Sequence, residues 1–184
     1  MYKRQSEYTL DHLRSRIGMV LQKNELFSGS IAQNLRWGNP GATDEDLRTA
    51  CRAAQADDFI RSFPRQYETE LGRGGVNVSG GQKQRLCVAM ALLKKPAILI
   101  LDDSTSAIDT ATESRLRQAL RTQLTDTTVI IIAQRISSIQ TADRIVVLDD
   151  GAIIATGTHT TLMATSPAYQ DIYYSCLLYT SRCV

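Results

Sequence analysis

Short apolar runs and longer amphipathic stretches take turns along this chain. Arg16 to Leu21 reads as a short strand that ends at Gln22. Pro40, Gly41 and Thr43 punctuate a loop, and Thr43 with Asp46 opens an amphipathic helix through about Gln55. The stretch from Ala56 to Phe63 continues helically and stops at Pro64. Thr69 to Gly75 is Gly-rich and reads as a loop. From Ser79 to Leu93 the apolar residues Leu86, Val88, Ala89, Leu92 and Leu93 keep helical spacing until Lys95-Pro96 ends the run. Ala97 to Leu101 is apolar throughout, as in a strand buried on both faces. Thr110 to Leu124 predicts a helix with Leu116, Ala119, Leu120 and Gln123 on one side, and Thr128 to Ala133 a second apolar strand. Arg144 to Leu148, then Asp150-Gly151, then Ala152 to Ala155 reads as strand, turn and strand. Strands alternating with helices predict an α/β fold with a mostly parallel sheet. The helices between Asn34 and Phe63 have no strand among them and predict a separate helical lobe, spanning about residues 34–94.

Composition narrows the class of protein. The 184 residues suffice for one domain with a real core, and 43% hydrophobic with 22% charged residues suits a globular chain. A formal net charge of +2 is too small to argue for nucleic acid or anionic lipid. No apolar stretch approaches the roughly 20 residues that cross a bilayer. Met1 to Leu10 is polar and shows no secretory signal. Cys51 and Cys87 sit inside helical patterns without metal-ligand spacing, and read as reduced core residues. Composition alone makes a cytosolic setting the default.

Two segments carry the candidate chemistry. Ser79-Gly80-Gly81-Gln82 is a Gly-rich turn opening a helix, which aims backbone N–H groups at an anion. Asp102-Asp103 ends the apolar run Ile98 to Leu101, so a buried strand delivers carboxylates at its C-terminal end, where open α/β sheets bind ligands. Together they resemble the signature and Walker B motifs of an ABC-type ATPase, the P-loop NTPase fold with a helical subdomain. Four further stretches carry the resemblance. Val20-Leu21-Gln22 resembles the Q-loop, and Thr69 to Gly74 (TELGRG) the X-loop of exporters. Ser106-Ala107-Ile108-Asp109 resembles the D-loop that crosses between paired domains, and Ile130 to Arg135 the switch region.

From Ser6 to Ser175 the chain thus looks like the later two-thirds of an ABC exporter's nucleotide-binding domain. The resemblance implies ATP and Mg²⁺ as cofactors. It implies Asp102 and Gln22 at the metal, with Gln22 also near the attacking water. It implies Asp103 and Gln134 as the residues that act on water and the γ-phosphate. Ser79, Gly80, Gly81 and Gln82 would close in trans over ATP held by a second nucleotide-binding domain, with Ser106 and Asp109 at the crossing. Partners would be that second domain and the exporter's membrane domain, at the cytoplasmic side of the cell membrane, with no nucleic acid.

Three departures from the family pattern matter. A Glu usually follows the Walker B Asp; here it is Asp103, shorter by one methylene. The switch residue is usually His; here it is Gln134, which cannot carry positive charge. Both weaken one site, as in the degenerate half of a heterodimeric exporter. Finally, no G-x-x-x-x-G-K-[ST] occurs, and in the family that loop precedes the Q-loop, so these 184 residues alone are expected to be inactive.

The two ends fit nothing around them. Back-translated, Met1 to Gln5 and Cys176 to Ser181 are reverse complements over most of their length, and resemble a transposon-end adaptor of sequencing libraries. Residues 1–5 and 176–184 are therefore expected to be translated adaptor, excluded from fold reasoning. Two other functional classes stay open at this point. One is a soluble ABC-type ATPase acting on DNA or ribosomes; the other is a non-catalytic interaction module.

Overall fold

The computed structural model describes residues 8–104 and 107–180, with the side chains of 176–180 excepted, and divides after Ile132 into two units. In the first unit, Thr9 caps a short helix, α1 (Leu10–Ser15), which leads into β1 (Ile17–Val20). A two-residue strand, β2 (Gly29–Ser30), precedes α2 (Ile31–Arg36). Next come α3 (Asp44–Ala53) and α4 (Asp57–Ser62), then β3 (Glu70–Leu71) and the long helix α5 (Gly80–Leu93). The chain returns to the sheet as β4 (Ile98–Asp102), crosses through α6 (Thr110–Gln123) and re-enters it as β5 (Thr128–Ile132).

The sheet runs β1-β4-β5, all parallel, with Val20, Leu101 and Ile131 in register. This is the parallel sheet that alternating strands and helices predicted. Val20, Leu99 and Leu101 are buried and form one core with Leu86 and Val88 of α5 and Leu116 and Leu120 of α6. The central strand β4 ends inside that core, so Asp102 and the turn after it emerge at a supported edge. On the other face Met19, Ile130 and Ile132 remain about half exposed.

Helices α2, α3 and α4 follow one another without a strand of the parallel sheet among them, pack with α5, and share one buried core with the sheet. Thr43 and Asp46 make the expected capping box at α3, which contributes about 1 kcal/mol. Two expectations need correction. The stretch 56–63 does not continue the preceding helix. Gln55 takes a left-handed conformation (φ 57°), which closes α3 before α4 begins. Thr69 to Gly75 is not all loop. Ile31 N–H donates to Thr69 O (3.0 Å), and Glu70–Leu71 pairs antiparallel with Gly29–Ser30 before a single 3-10 turn at Arg73–Gly75. Two-residue strands carry too little pattern to be read from sequence.

The second unit begins at Ala133. Its hairpin joins β6 (Ile145–Asp149) to β7 (Ala152–Gly157), antiparallel, through Asp150 and Gly151. Both turn residues have positive φ (44° and 76°), the turn that Asp-Gly favours. Two C-terminal helices follow, α7 (His159–Thr165) and α8 (Pro167–Thr180). Ile136, Ile145, Val147, Leu162 and Tyr169 form its core, with His159 Nδ1 2.9 Å from the Tyr169 hydroxyl. Of the end segments expected to be adaptor, residues 1–5 and 181–184 lie outside the described residues.

Candidate functional site

The signature turn is built by its own side chains. Ser79 has extended backbone and caps α5: its Oγ accepts from Gln82 N–H (3.2 Å), while Gln82 Oε1 accepts from Ser79 N–H (2.9 Å). Reciprocal capping uses up two backbone donors and leaves the helix start rigid. Ser79 and Gly80 are exposed, so the positive end of a 14-residue helix faces outward. Gly81 is required by close approach. A Cβ there would stand 2.7 Å from Ala107 O.

Arg85 anchors the same turn from the side. Its Nε donates to Gly81 O (3.2 Å) and its Nη1 to Gln55 O (2.6 Å), the carbonyl at the left-handed end of α3. The guanidinium also lies 4.8 Å from the Phe59 ring centroid. Partial burial lowers its pKa, an effect opposed by the nearby Asp109 carboxylate. Beside it, the Gln84 side chain is buried and accepts from Ala107 N–H (3.1 Å). Neither Gln84 nor Arg85 stood out in the sequence. The signal for Gln84 was there: a polar residue in the apolar stripe Gln84, Val88, Leu92 of α5.

At the end of β4, Asp102 is the last strand residue and Asp103 turns the chain with φ 45°, a conformation Asp tolerates better than most residues. Asp103 N–H donates to Ile132 O (2.9 Å), fixing the turn to β5. Across 81 positions of sequence, Gln22 Nε2 donates to Asp103 Oδ2 (3.2 Å). The fold therefore brings together two of the expected residues, Gln22 and Asp103, with Asp102 adjacent. Gln134 is exposed, lies in the second unit and follows β5 by two positions. Ser106 lies outside the described residues. Asp109 caps α6, its Oδ1 accepting from Thr112 N–H (2.9 Å). Hydrogen bonds from the Thr112 amide and side chain hold its carboxyl below the ordinary carboxylate range.

The oxygens expected at the metal, the Asp102 carboxylate and the Gln22 carboxamide, are hard ligands of the kind that suits Mg²⁺ rather than a softer metal. Among the described residues no group of three or more His, Cys, Asp or Glu could hold a metal by itself.

Another exposed feature lies after β1. Asn34, buried in α2, accepts from Phe27 N–H (2.8 Å) and donates to Phe27 O (2.9 Å). The Phe27 ring is thereby held at the surface, 5.1 Å from the exposed ring of Trp37.

The ABC transporter family profile matches residues 2–106. The chain belongs to the ABC transporter family. It is similar to the "Putative multidrug export ATP-binding/permease protein" of Staphylococcus aureus strains NCTC 8325 and COL, at 46% identity over 167 residues. Those matches cover 91% of this chain and 29% of each relative. Among solved structures it resembles a bacterial Atm1-family ABC exporter with ATP bound, with a TM-score of 0.86 and 37% identity, covering 89% of this chain and 29% of that one. The fold is thus the ABC-type P-loop NTPase fold. The chain spans about three-tenths of the length of the proteins it matches.

Proposed function

We propose that this chain is part of an energy-coupling nucleotide-binding domain of an ABC exporter, one that donates an intact signature to a partner domain and carries a degenerate site of its own. The observation that carries the reading is the exposed, reciprocally capped start of α5 at Ser79 and Gln82. Preorganised N–H groups at a helix start suit the γ-phosphate of ATP held by a second domain, most simply a different subunit. The relatives' names, which couple ATP binding to a permease, point the same way.

In its own site, Asp102 and the carboxamide of Gln22 would hold Mg²⁺, which neutralises phosphate charge when bound. Asp103 would orient water, with a carboxylate one methylene shorter than the family's usual Glu. It is also engaged by Gln22. Gln134 would meet the γ-phosphate without a charge to offer it. Both substitutions act against turnover at this site. The membrane domain would rest near Phe27 and Trp37, at the cytoplasmic side of the membrane. No described helix is long and apolar enough to cross a membrane, so that domain would come from elsewhere in the transporter.

ATP hydrolysis by the full-length transporter with its partner tests the proposal. Turnover should be lost on changing Ser79 or Gly81. Undiminished turnover in both variants would leave only an interaction module. The 184 residues alone, which contain no G-x-x-x-x-G-K-[ST], should show no micromolar affinity for ATP in calorimetry.

A further inference from the structure

We propose that Gln84 is a positioning residue that locks the segment Ala107 to Asp109 onto the start of α5, so that the signature and this segment reach the partner domain as one rigid unit. The inference rests on the functional reading above and adds a residue to it.

Gln84 sits in the inward stripe of α5 and is only 5% exposed. A buried carboxamide is costly unless its polar atoms are bonded. Its oxygen accepts from Ala107 N–H at 3.1 Å, a bond that spans 23 positions. Ala107 meets the first turn of α5 at two further points. Its carbonyl oxygen lies where a Cβ on Gly81 would come within 2.7 Å, and its Cβ is 3.4 Å from where one on Gly80 would stand. The next residue, Ile108, is buried in the core, and Asp109 caps α6. Ala107 to Asp109 is therefore fixed to α5 at one end and to α6 at the other. Gln84 supplies the side-chain bond that sets its register on α5.

This role differs from a structural one in a measurable way. Ala107 itself is exposed, so its N–H can turn to water when the Gln84 oxygen is removed. An apolar side chain of like length at position 84 also relieves a buried polar group. Stability should then change little. Geometry should change, because a misplacement of about 1 Å can cost a hundredfold in turnover.

The test measures ATPase kcat and KM, the thermal midpoint, and amide exchange in peptides spanning Ala107. It uses the full-length transporter with its partner. Gln84→Met, which keeps length and loses the acceptor, should lower kcat by about tenfold or more, with KM for ATP within about twofold and the midpoint little moved. Exchange at Ala107 should quicken in that variant. Gln84→Glu keeps an acceptor oxygen and should recover most of the kcat. Full kcat in Gln84→Met overturns the proposal. So does a loss in which KM and the thermal midpoint move together with kcat. Should Gln84→Met fail to fold, the wild-type transporter still decides: Ala107 must be protected from exchange there, and open-loop exchange rejects the bond. Gly81→Asp serves as the separate control. If it retains turnover, the reading of the signature falls, whatever Gln84 does.

Discussion

The start of α5 and the end of β4 make an instructive pair. Both are candidate phosphate-facing edges of the same unit, yet they are built differently. The α5 turn is capped reciprocally by Ser79 and Gln82, braced by Arg85 from the helical lobe, and packed by Ala107 against Gly81. The β4 edge is held in the backbone by Asp103 N–H on Ile132 O, and Gln22 Nε2 donates to Asp103 Oδ2 (3.2 Å) at the surface. In our reading, the capped edge serves the partner's ATP and the substituted edge serves this chain's own. The capping box thus falls where the residues match the family pattern, and the substitution at Asp103 falls at a turn of positive φ.

The sharpest way to break this comparison is to damage both edges in the full-length transporter. Gly81→Asp should abolish ATP turnover. In our reading it would set a carboxylate toward the partner's γ-phosphate, and its Cβ collides with Ala107 O. Asp103→Asn should cost little if, as we propose, this chain's own site is degenerate. An ATPase assay that ranks the two variants the other way reverses the assignment of roles.

Repairing the weak edge gives a smaller effect. Asp103→Glu returns the missing methylene, at a strain cost of about 1 kcal/mol if φ stays positive. Gln134→His restores a group that can be charged. With the partner's own catalytic carboxylate removed to silence its site, the double variant should hydrolyse ATP faster than either single one, and non-additively. Background-level hydrolysis in the double variant, with the partner's signature intact, means that these two residues are not what limits this site.

The brace on the strong edge can be weighed next. Arg85→Met removes two charge-assisted hydrogen bonds and a contact with the Phe59 ring. Denaturant unfolding of the 184-residue chain should show a loss of about 2 kcal/mol. A shift within error would make Arg85 a surface residue and the two edges more alike.

The smallest effect concerns pH and the lobe behind that edge. Burial pushes the Cys51 thiol up to about 12, and the Tyr67 hydroxyl, which donates to Asp57 (2.7 Å), is raised as well, chiefly by burial. The folded state thus holds protons that the unfolded state releases first. The associated stability is fully present below the ordinary thiol pKa, near 9, and is lost as pH rises from there toward 12. Cys51→Ala should flatten this decline in unfolding experiments between those limits. An unchanged slope assigns it to other groups.

The sequence by itself determined the class of fold and the motifs. Apolar runs such as Ile98 to Leu101 and Thr128 to Ala133 are legible as strands because their hydrophobic residues are continuous and short, although one face of β5, at Ile130 and Ile132, stays about half exposed in the structure. The cap at Thr43 is legible because a capping box is a local, four-residue device. The order of Gln22, Ser79 to Gln82, and Asp102-Asp103 carried the family resemblance without any coordinates. The break at Gln55 and the pairing of Glu70–Leu71 with Gly29–Ser30 were decided elsewhere, by distant contacts that outweigh weak local preference. Tertiary structure alone brought Gln22 to Asp103 and Gln84 to Ala107. A hydrogen bond between residues far apart in sequence leaves no periodic trace. It exists only once the core has set the angle and register of the elements that carry its two ends.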